Sequence, residues 1–333
     1  MHLVLPIRFK RAMVVALTAG AVVASQSGPY AFDLSRHIVP PEEIIGGGPP
    51  KDGIPAILNP KFVRSQEADF LADNDQVVGL AKGGEAKAYP LRIMNWHEIV
   101  DDRVGGVPLA VTYCPLTASP VVFDRRIEGR EVVFGVSGLL YQSNLLMYDR
   151  RTESLWSQLG SQAVAGSMAR TELSSVPSEL TTWRHWRALH PDTLVLSLDT
   201  GVSRDYTRDP YEDYQASESV MFPVSHRDAR LPSKEPVLGI ARERDSVAIV
   251  LSAVSTSPLE VEVGGTRLVV NYDSASNTTE VVVGRNAIPV VRTYWFAWAA
   301  FHPETRIWGK VSEAELKRRR SNEALEHMFH RGF

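Results

Sequence analysis

The chain has 333 residues, a formal net charge of -3 and 44% hydrophobic residues, which excludes a disordered or collagen-like polymer and allows at least one buried core. Its 36 basic and 39 acidic side chains nearly cancel, so no global field would draw it onto nucleic acid or an anionic membrane. The single cysteine, Cys114, excludes an internal disulfide and any multi-cysteine metal site.

The amino-terminal residues have the layout of a secretory signal. Arg8, Lys10 and Arg11 precede an uncharged apolar run over residues 12–24 that ends in small side chains. This run is shorter than the roughly 20 residues that span a bilayer. We therefore predict a signal peptide over residues 1–24 and an exported protein, periplasmic or extracellular, with an uncleaved anchor as the alternative. In an exported protein, a lone thiol is either buried or committed to a metal or a chemical task.

The predicted elements follow in chain order. Residues 25–60 are rich in proline and glycine, which favours an extended lead-in rather than a helix. From residue 77 the chain alternates short apolar runs with Gly, Pro, Asn and Asp clusters, and we predict strands over residues 77–81, 87–91, 109–113, 121–124, 132–136, 194–198, 237–241, 247–251, 259–263, 267–272, 280–283 and 290–292. Helices are predicted over residues 180–189 and in a basic, polar carboxy-terminal segment over residues 312–333.

Parts of the sequence recur. Residues 183–193 align without a gap with residues 295–305, and shorter matches pair residues 78–81 with 238–241 and residues 105–114 with 264–273. We therefore predict a β-rich α+β fold of two related, internally duplicated β lobes packed as one unit with a few short helices. The first lobe spans residues 61–235 and the second, shorter lobe residues 236–311. The site is expected in the first lobe, since only that lobe keeps Cys114. The duplicated His190 and His302 are expected to be structural.

The candidate site is centred on His97 and Cys114. One hairpin-sized loop separates them, so a β meander could bring the imidazole to the thiol. A protonated imidazole would lower the thiol pKa and favour a catalytic thiolate. Alternatively, His97 and Cys114 would bind a soft metal such as copper, with the thioether of Met147 as a third ligand. In the structural alternative, Cys114 is a small buried side chain and His97 a group at the core edge.

The insertion between residues 135 and 161 could line a pocket, since polar and aliphatic side chains alternate along it. The predicted binding residues of the site are Glu98, Tyr113, Tyr141, Ser143, Asn144, Asp149, Trp156, Gln158 and Arg204. In the alternative reading, Asp149 satisfies its own hairpin turn. Separately, Arg204 could clamp a ligand carboxylate, or it could instead pin its own loop to Asp205 or Asp209.

Five motifs, over residues 95–98, 112–116, 138–150, 155–158 and 183–193, make the chain similar to the bacterial domain-of-unknown-function family 3179. The resemblance runs from about residue 54 to residue 308. It implies an exported, β-rich domain and names no activity. Many members resemble this chain but carry a second cysteine three residues after the first. Thr117 stands in that place here, so this chain lacks the second thiol that a two-thiol mechanism needs.

The function predicted from these features is soft-metal binding or thiolate redox chemistry at His97 and Cys114 in an exported protein. The alternative is a non-catalytic, periplasmic binding module for a small organic or saccharide ligand, and a structural envelope protein would need only the tryptophan core. The expected partner is a small molecule or metal ion, without nucleic acid. Membrane contact is expected only through the signal peptide or, weakly, the basic carboxy-terminal helix. The absence of phosphate-loop, dinucleotide and His-Glu-x-x-His motifs excludes the common nucleotide-dependent and metalloprotease classes.

Overall fold

The computed structural model describes residues 32–254 and 258–312. The predicted signal peptide and all but the first residue of the predicted carboxy-terminal helix lie outside these described residues. Strands predominate in the described part and its helices are short, which confirms the β-rich prediction. No helix in this part of the chain is both long and apolar enough to cross a membrane.

The regular elements are numbered in chain order. The strands before residue 200 are β1 (Ile44–Gly46), β2 (Phe62–Arg64), β3 (Gln76–Lys82), β4 (Glu85–Pro90), β5 (Ile99–Val104), β6 (Val107–Cys114), β7 (Ser119–Asp124), β8 (Arg126–Ile127), β9 (Arg130–Glu131), β10 (Phe134–Tyr141), β11 (Asn144–Asp149), β12 (Leu155–Ser157), β13 (Gln162–Ala165), β14 (Ser175–Val176), β15 (Glu179–Thr182) and β16 (Leu194–Leu196). The later strands are β17 (Pro236–Arg242), β18 (Asp245–Val250), β19 (Leu259–Val263), β20 (Thr266–Asp273), β21 (Thr278–Val283), β22 (Asn286–Ala287), β23 (Val291–Tyr294) and β24 (Arg306–Trp308). The helices are α1 (Leu91–His97), α2 (Trp183–Leu189), α3 (Glu212–Ala216) and α4 (Trp295–Phe301), with 3₁₀ turns at Pro41–Glu43, Ser65–Glu67 and Leu251–Ala253.

Five sheets of four or five strands are arranged as a propeller-like ring of five blades. The insertion sheet has the order β1-β10-β11-β12-β13, and the other four are the β6 sheet (β14-β7-β6-β5), the β3 sheet (β15-β3-β4-β16-β2), the β17 sheet (β23-β17-β18-β24) and the β20 sheet (β19-β20-β21-β22). The sequence predicted two lobes, whereas the strands form five blades. They do so because the strands of each predicted lobe divide between two separate sheets, and strands of the insertion contribute to a fifth.

The β3 and β17 sheets have the same strand pattern. In each, two antiparallel pairs are followed by a parallel strand that comes directly after a short helix, α2 or α4. Helix α2 packs so closely that a Cβ atom on Gly79 would lie 2.2 Å from Cε3 of Trp186. The His190 ring stacks on Trp186 with centroids 4.1 Å apart, and the indole N–H donates to Thr193 Oγ1 at 2.9 Å. The equivalent contacts join Gly239, Trp298, His302 and Thr305.

Helix α2 begins at Trp183, three residues later than the predicted helix over residues 180–189. The first residues of that segment belong to β15, which pairs with β3. Two adjacent threonines, Thr181 and Thr182, favour the strand because they are β-branched. Thr182 then caps the helix by accepting a hydrogen bond from the His185 amide.

Candidate functional site

His97 does not pair with Cys114. Its ring is fully buried, and Nδ1 lies 2.7 Å from the Pro55 carbonyl oxygen. Because a carbonyl only accepts, Nδ1 carries the proton. Nε2 of the neutral ring then accepts from the Tyr206 hydroxyl at 2.6 Å. Burial lowers the pKa of His97 and so favours this neutral ring. With both nitrogens engaged, the predicted imidazole–thiol hydrogen bond is not formed.

Cys114 is buried among apolar side chains. It belongs to a buried cluster that contains Leu116, Leu145 and Trp156. Burial, followed by the nearby Glu98 carboxyl, raises the pKa of the thiol to about 11. A thiolate nucleophile needs the opposite shift, so this environment does not favour the predicted activation of Cys114.

The residues predicted to bind copper do not fit a metal. Met147 is buried in the same apolar cluster as Cys114, and the two His97 nitrogens are bonded to Pro55 and Tyr206. Over residues 32–254 and 258–312, no group of three or more His, Cys, Asp or Glu side chains is placed to hold a metal ion.

Asn144 and Gln158 belong to a buried polar network between the insertion sheet and the β6 sheet. Asn144 Nδ2 donates to Thr117 Oγ1 at 3.0 Å and to Gln158 Oε1 at 2.8 Å. Gln158 Nε2 donates to Thr112 Oγ1 at 2.8 Å, and its Oε1 accepts from Ser119 at 3.0 Å. These fully buried groups satisfy one another, so they join two blades rather than line a ligand pocket.

The other predicted residues of the insertion also have structural contacts. Asp149 accepts from the amide and hydroxyl of Thr152 and from the Trp156 indole, which confirms the self-satisfied turn. Tyr141 is half-buried and its ring packs against that of Phe301. Ser143 occupies the two-residue turn between β10 and β11, with φ of 60° and a buried hydroxyl that has no hydrogen-bond partner among the described residues.

A polar pocket of about 340 Å³ lies where α1, the start of β3 and the segment after residue 205 meet. Its lining includes Tyr113, which the sequence predicted, and Tyr206, which bonds to His97. Consecutive strand residues face opposite sides of a sheet, so Tyr113 and Cys114 belong to different buried clusters. The lining residues that were not predicted from the sequence are Asn74, Asp75, Gln76, Leu91, Arg92, Asn95, Tyr206, Thr207, Arg208, Asp209 and Gln215.

Helix α1 holds one wall of this pocket in place. The Trp96 indole N–H donates to the Arg208 carbonyl at 3.1 Å, and His97 accepts from Tyr206. Arg204 stacks over the Trp96 ring at 5.9 Å and donates to the Ser203 carbonyl. Arg204 is therefore held by an aromatic face and its own backbone, and not by the predicted bonds to Asp205 or Asp209.

Two buried polar atoms beside the pocket have no hydrogen-bond partner among the described residues, Asn95 Oδ1 and Arg92 Nε. The rest of the Arg92 guanidinium is engaged, since it pairs with Asp75 at 2.7 Å and donates to the Phe70 carbonyl at 2.7 Å. Buried polar groups are normally bonded, so the unpartnered pair points to water or a ligand at this position. The Asn-Trp-His-Glu motif was the sequence signal that could have revealed Asn95. Its residue spacing alone, however, did not indicate that Asn95 rather than His97 would line the pocket.

A groove of about 800 Å³ runs along residues 218–233 and Phe296. None of the predicted site residues lines it. Arg230 and Asp228, which do line it, pair with each other at 2.7 Å. Volume alone therefore does not identify this groove as the site.

These features define a β-rich, propeller-like protein with a polar pocket beside a short helix. A family model described as "Protein of unknown function (DUF3179)" matches residues 51–286, and the chain belongs to this family. No curated protein and no solved structure matches the chain.

Proposed function

We propose that the protein is a non-catalytic binding module that holds a small, uncharged polar ligand, such as a saccharide, in the polar pocket. The observation that carries this proposal is the unpartnered Asn95 Oδ1 and Arg92 Nε at a pocket of about 340 Å³. This volume lies at the small end of the roughly 300–1,000 Å³ range of ligand pockets. The pocket is lined mainly by amide, hydroxyl and charged groups, which suit a ligand with many hydroxyls.

The charges at the pocket favour an uncharged ligand. Its charged lining comprises two acids, Asp75 and Asp209, and two bases, Arg92 and Arg208. Asp75 and Arg92 already form an ion pair, and Asp209 accepts from the Tyr211 amide at 2.8 Å. The pocket therefore offers no excess of positive or negative charge to pair with a charged ligand.

We also propose that the β3 and β6 sheets are related by duplication to the β17 and β20 sheets, and that the polar pocket belongs to the first copy alone. The shared strand order of the β3 and β17 sheets and their matched Trp–His contacts support the duplication. After β18 the second copy has the 3₁₀ turn Leu251–Ala253 instead of α1. There Ser252 bonds to Glu235 at 3.1 Å, at positions equivalent to Arg92 and Asp75. The segment that differs between the copies is the one that lines the pocket.

We propose in addition that the binding module acts after export. The basic residues followed by an apolar run over residues 12–24 support this location. Amino-terminal sequencing of protein from the export fraction should begin at Ser25. A chain that keeps its first 24 residues in the cytoplasm would contradict export without affecting the binding proposal.

Thermal-shift screening tests the binding proposal. Glucose, N-acetylglucosamine and maltose are compared with the charged analogues glucuronate and glucosamine. A neutral sugar present at 100 times its dissociation constant should add about 2.7 kcal/mol to the free energy of unfolding. In the Asn95→Ala variant its affinity should fall about tenfold, since one hydrogen bond is lost. Asn271→Ala, an amide on β20 outside the pocket, is the matched control. Binding of only the charged analogues, or equal affinity in both variants, would remove the proposal.

A further inference from the structure

A second cavity, separate from the polar pocket, lies beside Glu98. It has a volume of about 70 Å³ and is lined mainly by aliphatic and aromatic side chains, among them Leu116, Leu140, Leu145 and Phe222. It shares no lining residue with the polar pocket. Met221, which is exposed, stands at its edge.

Glu98 is the ionisable carboxyl group of this cavity. The residue is 6% exposed, and no hydrogen bond or ion pair joins its carboxyl group to another described residue. Burial alone raises the pKa of Glu98 to about 8. A carboxyl without a cationic partner in an apolar environment stays protonated at neutral pH and donates one hydrogen bond.

The backbone holds Glu98 in this position at a conformational cost. Its φ is 58° and its ψ is -31°, in a region that non-glycine residues rarely adopt. Two backbone hydrogen bonds of 2.8 Å fix it there, from the Glu98 amide to the Met94 carbonyl and from the Tyr113 amide to the Glu98 carbonyl. Strain of this kind persists where the surrounding structure over-determines the residue, and it concentrates at functional sites.

We infer that Glu98 and this apolar cavity form a second binding site, for the carbonyl end of a small uncharged organic molecule such as a short ketone. The aliphatic walls take the hydrocarbon part, and the Glu98 carboxyl donates to the carbonyl oxygen. The volume of about 70 Å³ is roughly half that of a cavity that accepts benzene, which corresponds to about three or four heavy atoms. This site is independent of the proposed ligand of the polar pocket.

The test uses three probes of the same size: acetone, 2-propanol and isopropylammonium. The full-length protein carries ¹³C-labelled glutamate, and the Glu98 carboxyl resonance is assigned by its loss in Glu98→Gln. Acetone should raise the midpoint of the Glu98 titration, because it binds the protonated form. Its affinity, followed on the methyl resonances of Leu140 and Leu145, should fall at least tenfold between pH 6 and pH 10. In Glu98→Gln, whose amide still donates, acetone should bind equally at both pH values.

Two results would overturn the inference. Isopropylammonium could lower the midpoint and bind more tightly than acetone, in which case the site takes a cation. Alternatively, none of the probes at 200 mM could move the Glu98 midpoint or the two leucine methyl resonances, in which case the cavity holds only water. The midpoint measurement needs no variant and therefore does not depend on whether Glu98→Gln folds.

Discussion

We expect Glu98 to make the stability of this protein depend on pH. Its pKa is about 8 in the folded protein against an ordinary value of 4.5, so between these values the folded chain keeps a proton that the unfolded chain has released. Its contribution is complete below about pH 4.5 and is lost as the pH rises through 8. The free energy of unfolding should therefore fall by up to about 1.4 kcal/mol per pH unit across this window. Urea unfolding at pH 5, 6, 7 and 8 measures the slope.

The Glu98→Gln variant separates this effect from that of other groups. Asp101 acts in the same direction, since burial raises its pKa to about 7, and its contribution is common to both proteins. The difference in slope between wild type and Glu98→Gln is thus due to Glu98. Glu172→Gln, at an exposed glutamate, is the control and should keep the wild-type slope. Parallel slopes for wild type and Glu98→Gln would mean that Glu98 titrates normally.

His97 and Cys114 illustrate what could be predicted from sequence at this scale. The Asn-Trp-His-Glu motif lies at the end of the helix that lines the polar pocket. The partner of His97, however, is Tyr206, which is 109 residues away along the chain. Nothing in the spacing of the motif indicates where the segment that contains Tyr206 will pack. The burial of Cys114 likewise depends on Leu145 and Trp156 of another sheet.

At the scale of elements, α1 anchors the segment that follows β16. Tyr206→Phe removes the hydroxyl that donates to His97 Nε2 and bonds to Thr200 Oγ1 at 2.7 Å. Because His97 is fully buried, its acceptor nitrogen is left without a partner. We expect a loss of about 1–3 kcal/mol in the free energy of unfolding, with faster amide exchange over residues 200–209. Tyr272→Phe on β20 is the matched control. Unchanged stability and exchange in Tyr206→Phe would show that this hydrogen bond does not hold the segment.

The packing of α2 on β3 can be tested at Gly79. A Cβ there would overlap Cε3, Cζ3 and Cδ2 of Trp186 at 2.2–2.6 Å, so Gly79→Ala should cost about 1–3 kcal/mol of stability. In a Trp186→Phe background the penalty should shrink, because phenylalanine lacks the outer ring that holds these atoms. A double-mutant cycle measures this coupling. The equivalent cycle, Gly239→Ala with Trp298→Phe, should show the same coupling, since a Cβ atom on Gly239 would also lie 2.2 Å from Cε3 of Trp298. Additive effects in both cycles would contradict the close packing.

Local patterns predicted 12 of the 24 strands in the described residues, where apolar runs of strand length were bounded by turn residues. The run over residues 237–241 lies within β17, and all but the last residue of the run over residues 247–251 lie within β18. Helix α1 was missed because its seven residues are almost all buried or half-buried, so no polar face reveals a helical period. The predicted first lobe also combined strands that pair into separate sheets, since sequence gives strand positions but not their partners.

At the scale of the whole molecule, hydrogen bonds and core contacts join the two predicted lobes. The Thr117 carbonyl accepts from Thr293 Oγ1 at 2.8 Å and from the Tyr294 amide at 3.0 Å. Arg292, whose pKa burial lowers to about 10, donates across the lobes to the Leu180 carbonyl at 3.4 Å. The core cluster of Cys114 also includes Phe296 and Ala297 of α4. Each lobe thus supplies part of the other lobe's core and hydrogen bonding.

We therefore expect one cooperative unfolding transition, with equal calorimetric and van't Hoff enthalpies. Residues 25–235, which keep β1 and Pro55, and residues 236–311, produced separately, should each lack a thermal transition, because separation leaves the Thr117 carbonyl and Arg292 without bonds that they make in the whole chain. Co-expression should yield a complex that regains one transition. Calorimetry of the full chain and both fragments measures this. Two resolved transitions, or a fragment that melts cooperatively by itself, would mean that the lobes are independent domains and that the contacts at Thr117 and Arg292 add little to folding.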